Sequence, residues 1–267
     1  MSVTVNVEKI GTFSKCADKF SMPASPLPRL NEDRRLYGSL NEEMDLTIEC
    51  KGPDASESDD SIDSLLEFIL KTSTHGTVLS EAIGAEFLTT SRILNALART
   101  AYKHITIQLV ATRQSDVIFL KEKELPALLP TTESPQYLQK FKQYMTLDEA
   151  GNPNDTRWVE KQSLRQYLTS FLAGIPYTIF GHRVSTRAQS INEVSKVTTD
   201  ELPKDRVRWN ANLCFDQLFK ILQKIESSLE LDGDVATVTV MRGEVTCEID
   251  DIENFKAVDP EFLKNFD

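Results

Sequence analysis

Along this chain the spacing of apolar residues switches repeatedly between the 3.6-residue period of a helix and the two-residue period of a strand. No architecture built from one kind of element accommodates both patterns. Ile62, Leu65, Leu66 and Ile69 recur at i, i+3, i+4 and i+7, which predicts a helix from Ser61 with Asp60 or Ser61 as N-cap. Leu94, Leu97 and Ala101 predict a second helix over 91–101, with Arg92 and Arg99 able to reach outward. Leu164, Leu168, Phe171 and Leu172 predict a third, ended by Gly174, and Leu218, Ile221, Leu222, Ile225 and Leu229 a fourth, starting near Arg208 and broken at Asp232 and Gly233.

Strand patterns fill the spaces between these helices. Ile105, Ile107 and Leu109 alternate with Thr106 and Gln108, and a β-rich run over 116–121 follows the link 112–115, which predicts a hairpin at a sheet edge on one side. The run 176–181 is compact enough for a buried strand. Ala236, Val238 and Val240, then Val245, Cys247 and Ile249, alternate with polar residues as two closing strands. Pro23, Pro26 and Pro28 break up the first 45 residues, which should wrap a core rather than form one, and Asp54, Glu57, Asp59, Asp60 and Asp63 read as a solvated loop. The expected fold is α+β: a single domain over 1–267, with an arm and acidic loop over 1–60 and a core over 61–267 built on a mixed sheet flanked by helices.

Charge narrows the function. With 41 Asp plus Glu against 30 Lys plus Arg, the net charge of −11 repels a nucleic acid at long range, so any RNA is expected to be held through a local pocket, a metal ion or a partner rather than along a basic face. No stretch approaches 18 consecutive apolar residues and the N-terminus lacks the pattern of a signal peptide, so no membrane association and a nuclear or cytosolic location are expected. Cys16, Cys50, Cys214 and Cys247 lack paired zinc spacing, and His75, His104 and His182 are equally scattered.

Several segments, in order, resemble the DXO-type family of decapping exoribonucleases. They are 10–20 (IGTFSKCADKF), 85–124, in which Arg92 falls on a family Arg, 140–148 (KFKQYMTLD), 164–183 (LRQYLTSFLAGIPYTIFGHR), and 209–215 with its Trp209. The resemblance implies a fold of the same type and an activity on RNA 5′ ends, cap removal followed by 5′-to-3′ degradation, with divalent metal held by carboxylates.

The departures fall on those carboxylates. Lys142 stands at the Glu of the family's K-F-E-Q-Y segment, Leu138 at the Gly before it, and Thr169 at a helical Gln. The strands carrying the family's E-x-D and E-hydrophobic-K pairs belong between Asp148 and Leu164, where only 149–163 are present. A Lys in place of a ligand puts a cation where a dication would sit, at a cost of several kcal/mol in a poorly screened pocket. The sequence therefore points to a family member with reduced or lost catalysis, acting in RNA 5′-end binding or as an adaptor in RNA quality control. No catalytic residue and no metal ligand are assigned, and Mg²⁺ or Mn²⁺ is implied only if the family activity is retained.

The RNA- and phosphate-binding set is Arg92, Lys142, Thr169 and Arg183, with Phe141 and Tyr144 beside Lys142 offering stacking. Arg92 has a second reading as the partner of a surface carboxylate, Arg183 as a structural anchor, and the aromatic island Tyr137, Phe141 and Tyr144 as core. The expected partners are an RNA 5′ end and a 5′-to-3′ exoribonuclease. The alternative is an active metal-dependent hydrolase with rearranged carboxylates from Glu149, Asp155, Glu160 and the C-terminal acids. Glu49 to Lys51 and Gly243 to Cys247 imitate ligand strands at the wrong places and read as strand-edge residues facing water.

Overall fold

The computed structural model describes residues 5–16, 19–22, 29–46, 62–124, 146–147, 153–154, 163–183, 188–204, 209–249 and 258–266. In chain order the strands are β1 (Ser14–Cys16), β2 (Lys19–Ser21), β3 (Arg29–Leu30), β4 (Gly38–Asp45), β5 (Phe87–Leu88), β6 (Thr106–Gln114) and β7 (Val117–Glu124). They continue as β8 (Thr146–Leu147), β9 (Pro153–Asn154), β10 (Tyr177–His182), β11 (Ser190–Thr198), β12 (Val235–Met241) and β13 (Glu244–Ile249). The helices are α1 (Ile62–Thr72), α2 (Leu79–Ile83), α3 (Ser91–Arg99), α4 (Ser163–Leu172), α5 (Ala211–Glu226) and α6 (Pro260–Leu263).

Alternation along β6 explains the layers. Ile107, Leu109 and Ala111 turn to one face of the sheet and Val110 to the other, so both faces are apolar and both are covered. On the first face α3, α4 and α5 pack against β6, β7 and β12 around the fully buried Leu97, Leu168 and Ile221. Truncating one such Leu to Ala removes about 2–5 kcal/mol. The other face carries α1, α2 and α6, with Phe119 at its centre in edge contact with Phe262, centroids 6.5 Å apart.

The sheet order is β13-β12-β6-β7-β5, antiparallel except for the parallel pair β5 and β7, so the expected mixed sheet flanked by helices is present. β6 sits at its middle, and the outer neighbour of β7 is the two-residue β5, so the hairpin is more central than its sequence suggests. The proposed link 112–115 is also too long. β6 runs to Gln114 because Thr112 is buried between Phe119 and Val235 in the ladder, leaving Ser115 and Asp116 as a two-residue turn at φ 46° and 64°. Positive φ at both positions is the twist that a two-residue hairpin requires.

A second sheet, β10-β11-β4, lies behind α4. Thr178 of β10 faces the helix, where Ser170 Oγ is 3.2 Å away and Gln166 Nε2 donates to Thr178 at 3.2 Å. β10 is an edge strand of half-buried residues rather than the buried strand expected over 176–181. Its sheet carries a small core of its own in Met44, Leu46, Ile191 and Val194, so the segment around β4 does more than wrap. The first residues do wrap: Phe13 stacks between Phe20, 5.1 Å away, and Phe68 of α1, 5.5 Å away.

α5 begins at Ala211, where Asn210 Oδ1 accepts the Asn212 N–H at 2.9 Å, and ends at Glu226, so Leu229 is buried beyond the helix instead of within it. Likewise α3 stops at Arg99, short of Ala101. Among the described residues, no helix is long and apolar enough to cross a membrane.

Candidate functional site

Arg92 is the second residue of α3, and the start of that helix is pinned to β7. Thr90 Oγ1 accepts the Ile93 N–H at 3.4 Å as N-cap, while Thr89 Oγ1 donates to the Leu120 carbonyl at 3.0 Å. Leu120 and Glu122 share the sheet face that α3 covers, because side chains two apart on a strand point the same way. Arg92 Nη2 therefore meets Glu122 Oε1, at 3.3 Å. This single contact is longer than the roughly 2.7–2.9 Å of a good charge-assisted pair. Arg92 Nε is buried and makes no hydrogen bond among the described residues.

A β-bulge lies immediately beyond Glu122. Leu109 pairs with Glu122 and Gln108 with Glu124, leaving Lys123 as an extra residue. Lys123 Nζ reaches Thr237 Oγ1 at 3.2 Å, and Lys121 lies 3.7 Å from Asp63 of α1, both on the face opposite Arg92. At the β7 side of α3 the charged pair is thus Arg92 with Glu122, while Arg165 lies on the neighbouring α4.

One turn after Arg92, Asn95 is buried at 6% exposure with its amide used twice. Nδ2 donates to Thr169 Oγ1 at 2.9 Å and to the Arg165 carbonyl at 3.2 Å. The helix bearing Arg92 is thereby joined to the helix bearing Thr169, although Thr169 itself is exposed. Arg183, just beyond β10, donates from Nη1 to the Ala188 carbonyl at 2.8 Å, which ties together the two ends of 184–187. Lys142 lies outside the described residues, as do Tyr137, Phe141, Tyr144, Glu149, Asp155 and Glu160.

Neither Asn95 nor Glu122 was legible as a site residue. The available signal for Asn95 is an amide among Ile93, Leu94, Ala96 and Leu97, where an unpartnered polar group costs about 1–3 kcal/mol. Glu122 gives no local signal.

The remaining titratable groups are dispersed. His182 Nε2 is 2.7 Å from Ser195 Oγ on the neighbouring strand. Burial pushes the Cys214 thiol up to about 11. Along β13, Glu244, Thr246 and Glu248 are exposed, and two strands separate them from β7, in keeping with an edge facing water. A cleft of about 620 Å³ opens between the start of β4 and β11, lined by Glu32, Arg34, Tyr37 and Lys196 among others, and none of Arg92, Thr169 or Arg183 borders it.

Divalent metal fits these side chains poorly. Among the described residues no three His, Cys, Asp or Glu side chains converge to hold an ion, and the side chains bonded around α3 are the Arg92 guanidinium, the Asn95 amide and the Thr169 hydroxyl, with Glu122 of β7 as the carboxylate on Arg92. Mg²⁺ and Mn²⁺ need several oxygen ligands in fixed geometry.

Residues 139–265 match the family model described as RAI1 like PD-(D/E)XK nuclease. Among solved structures, Scheffersomyces stipitis Rai1 in complex with (3′-NADP)+ and calcium ion superposes with a TM-score of 0.64 at 12% identity, over 98% of this chain and 96% of that one. Candida albicans Rai1 in complex with pU5-Mn2+ gives 0.58 at 12% identity, over 85% and 88%. K. lactis Dxo1 in complex with manganese gives 0.51 at 12% identity, over 89% and 86%. A comparison with curated protein sequences gives no match. At these identities the structural likeness is one of fold.

Proposed function

We propose that this chain, a DXO-type family member by its RAI1-like segment and its fold, binds the phosphorylated 5′ end of RNA while its hydrolytic activity is reduced or lost. The observation that carries the reading is Arg92: among the described residues its buried Nε has no hydrogen bond, and its one carboxylate contact is long and single-armed. With Nε buried, what this one-third-exposed guanidinium can offer a phosphate is its Nη donors, once the weak Glu122 contact is displaced. Thr169, which Asn95 joins to the helix bearing Arg92, adds a hydroxyl in the proposal. Lys142 supplies a second cation in the proposal, from the position where relatives of this type carry a ligating Glu.

A protein of net charge −11 gains no affinity from a diffuse basic surface. Its grip on RNA must be short-ranged and confined to the end of the strand. The Mn²⁺ complexes of Rai1 and Dxo1 belong to those proteins. In this chain the clustered acids that such chemistry requires are wanting among the described residues. An adaptor role beside a 5′-to-3′ exoribonuclease in RNA quality control, in the nucleus or the cytosol, is the wider proposal, and it rests on the resemblance alone.

Fluorescence anisotropy with 5′-monophosphorylated and 5′-hydroxyl pentauridylate, each with Mn²⁺ and with EDTA, tests the core of this reading. Preference for the phosphorylated end, equal in both buffers and without cleavage on a sequencing gel, is the expected result. Mn²⁺-dependent release of nucleotides would favour the rearranged-carboxylate hydrolase, and equal binding of both ends would remove 5′-end recognition.

A further inference from the structure

We infer that Glu122 is an internal competitor for the anion that Arg92 binds, and that it sets the affinity of the site for a terminal phosphate. The inference rests on the RNA 5′-end reading above and concerns the regulation of that same site. Its basis is geometric. Glu122 is the last side chain of β7 on the α3 face before the bulge at Lys123, and its Oε1 lies 3.3 Å from Arg92 Nη2. A carboxylate that satisfied the guanidinium would take two donors; this one takes one, and the neighbouring Nε stays buried and unmatched among the described residues.

The bulge accounts for the imperfect fit. An extra residue at Lys123 ends the regular pairing and turns the strand, so Glu122 reaches the edge of the guanidinium from the sheet rather than facing it. Bulges recur next to functional sites for this reason. A phosphate arriving at Arg92 cannot reach the buried Nε in this arrangement and must take the Nη donors that Glu122 contacts, so it meets the Glu122 charge and must displace or tolerate it. Both side chains are about one-third exposed, so the pair is screened and displaceable. Glu122 thus holds Arg92 oriented along β7 in the absence of a ligand and lowers the affinity of any anion that replaces it.

The same phosphorylated and 5′-hydroxyl pentauridylates, titrated against wild type, Glu122→Gln, Arg92→Gln and the double variant, test this. Glu122→Gln should tighten binding of the phosphorylated end about fivefold, as expected for removing a screened like charge, and change the 5′-hydroxyl oligonucleotide by less than about twofold. The gain should vanish in the double variant. A wild type that prefers the phosphorylated end while Glu122→Gln is unchanged or weaker overturns the competitor and leaves the 5′-end reading standing. A wild type with no phosphate preference overturns both. Glu122→Ser, read alongside by thermal melting, separates loss of the carboxylate from loss of fold: it should reproduce the gain with a native melting transition, and a folded Ser variant without the gain counts against the inference.

Discussion

Asn95 of α3 donates its amide to Thr169 Oγ1 of α4 at 2.9 Å and to the Arg165 carbonyl at 3.2 Å, so one buried side chain joins the helix bearing Arg92 to the helix bearing Thr169. The junction is polar within an otherwise apolar layer, where Leu97 and Leu168 are fully buried. Replacing Asn95 with Ala removes both bonds and leaves the part-buried Arg165 carbonyl one partner poorer. The expected loss is about 2–3 kcal/mol in urea unfolding, composed of two hydrogen bonds and a small cavity. A loss under about 0.5 kcal/mol would mean that the two helices are held by apolar packing alone.

The turn between β6 and β7 uses residues poorly suited to it. Ser115 and Asp116 both adopt positive φ, a region that costs a non-glycine residue about 1 kcal/mol or more. Ser115→Asn with Asp116→Gly should raise stability by about 0.5–1 kcal/mol, seen as an upward shift in the thermal midpoint. The Ser115 N–H would keep its bond to Asp232 Oδ1, and the lost Arg113–Asp116 contact, mostly exposed on the Asp side, contributes little. An unchanged or lower midpoint would show that these side chains hold the turn in ways that outweigh its backbone cost.

Cys214 should be chemically silent in the native protein. Burial raises its thiol from 9.0 to about 11, so the nucleophilic thiolate is scarce near neutral pH, whereas Cys247 is only half-buried. Peptide-resolved alkylation should label Cys247 before Cys214, and the difference should disappear in concentrated urea. The linkage has a definite sign. The unfolded thiol loses its proton near 9 and the folded one near 11, so this group leaves stability unchanged at lower pH and erodes it as pH climbs through that window. Equal labelling of the two thiols in the native state would contradict this.

Gly11 sits where no side chain fits. A Cβ built there would lie 2.5 Å from Phe68 Cζ, and that ring is itself stacked on Phe13. Gly11→Ala should push the arm off α1 and cost about 1–3 kcal/mol, the range for overpacking. Limited proteolysis should then cut within residues 5–22 faster than in wild type, while the core resists as before. Unaltered cleavage would mean that the Phe68 ring turns aside without cost.

Much of the fold was legible because its signals are local. α1, the α3 stripe, the α4 face and the β12–β13 hairpin each follow from apolar spacing within one segment. β11 was missed for a physical reason. Its Ile191, Val194 and Val197 recur every three residues, which fits no strand, but a bulge between Ile191 and Glu193 puts Ile191 and Val194 on one face and Val197 on the other. β4 was missed because its partner is β11, far along the chain, and a charged run such as Glu42 and Glu43 looks like a loop until it is paired.

The amino-acid sequence by itself determined the α+β class, the order of the principal helices and hairpins, the candidate positions Arg92 and Thr169, and the family resemblance, because periodicity, turn residues and segment order need no tertiary information. Only the tertiary structure decided that Asn95 ties Arg92's helix to Thr169, that Arg183 donates to the Ala188 carbonyl, and that Glu122 lies against Arg92. Those contacts join residues 30 to 74 positions apart, apart from the local bond between Arg183 and Ala188. They arise from how a bulged strand and two helices pack across one buried layer, a geometry that no local spacing of residues encodes.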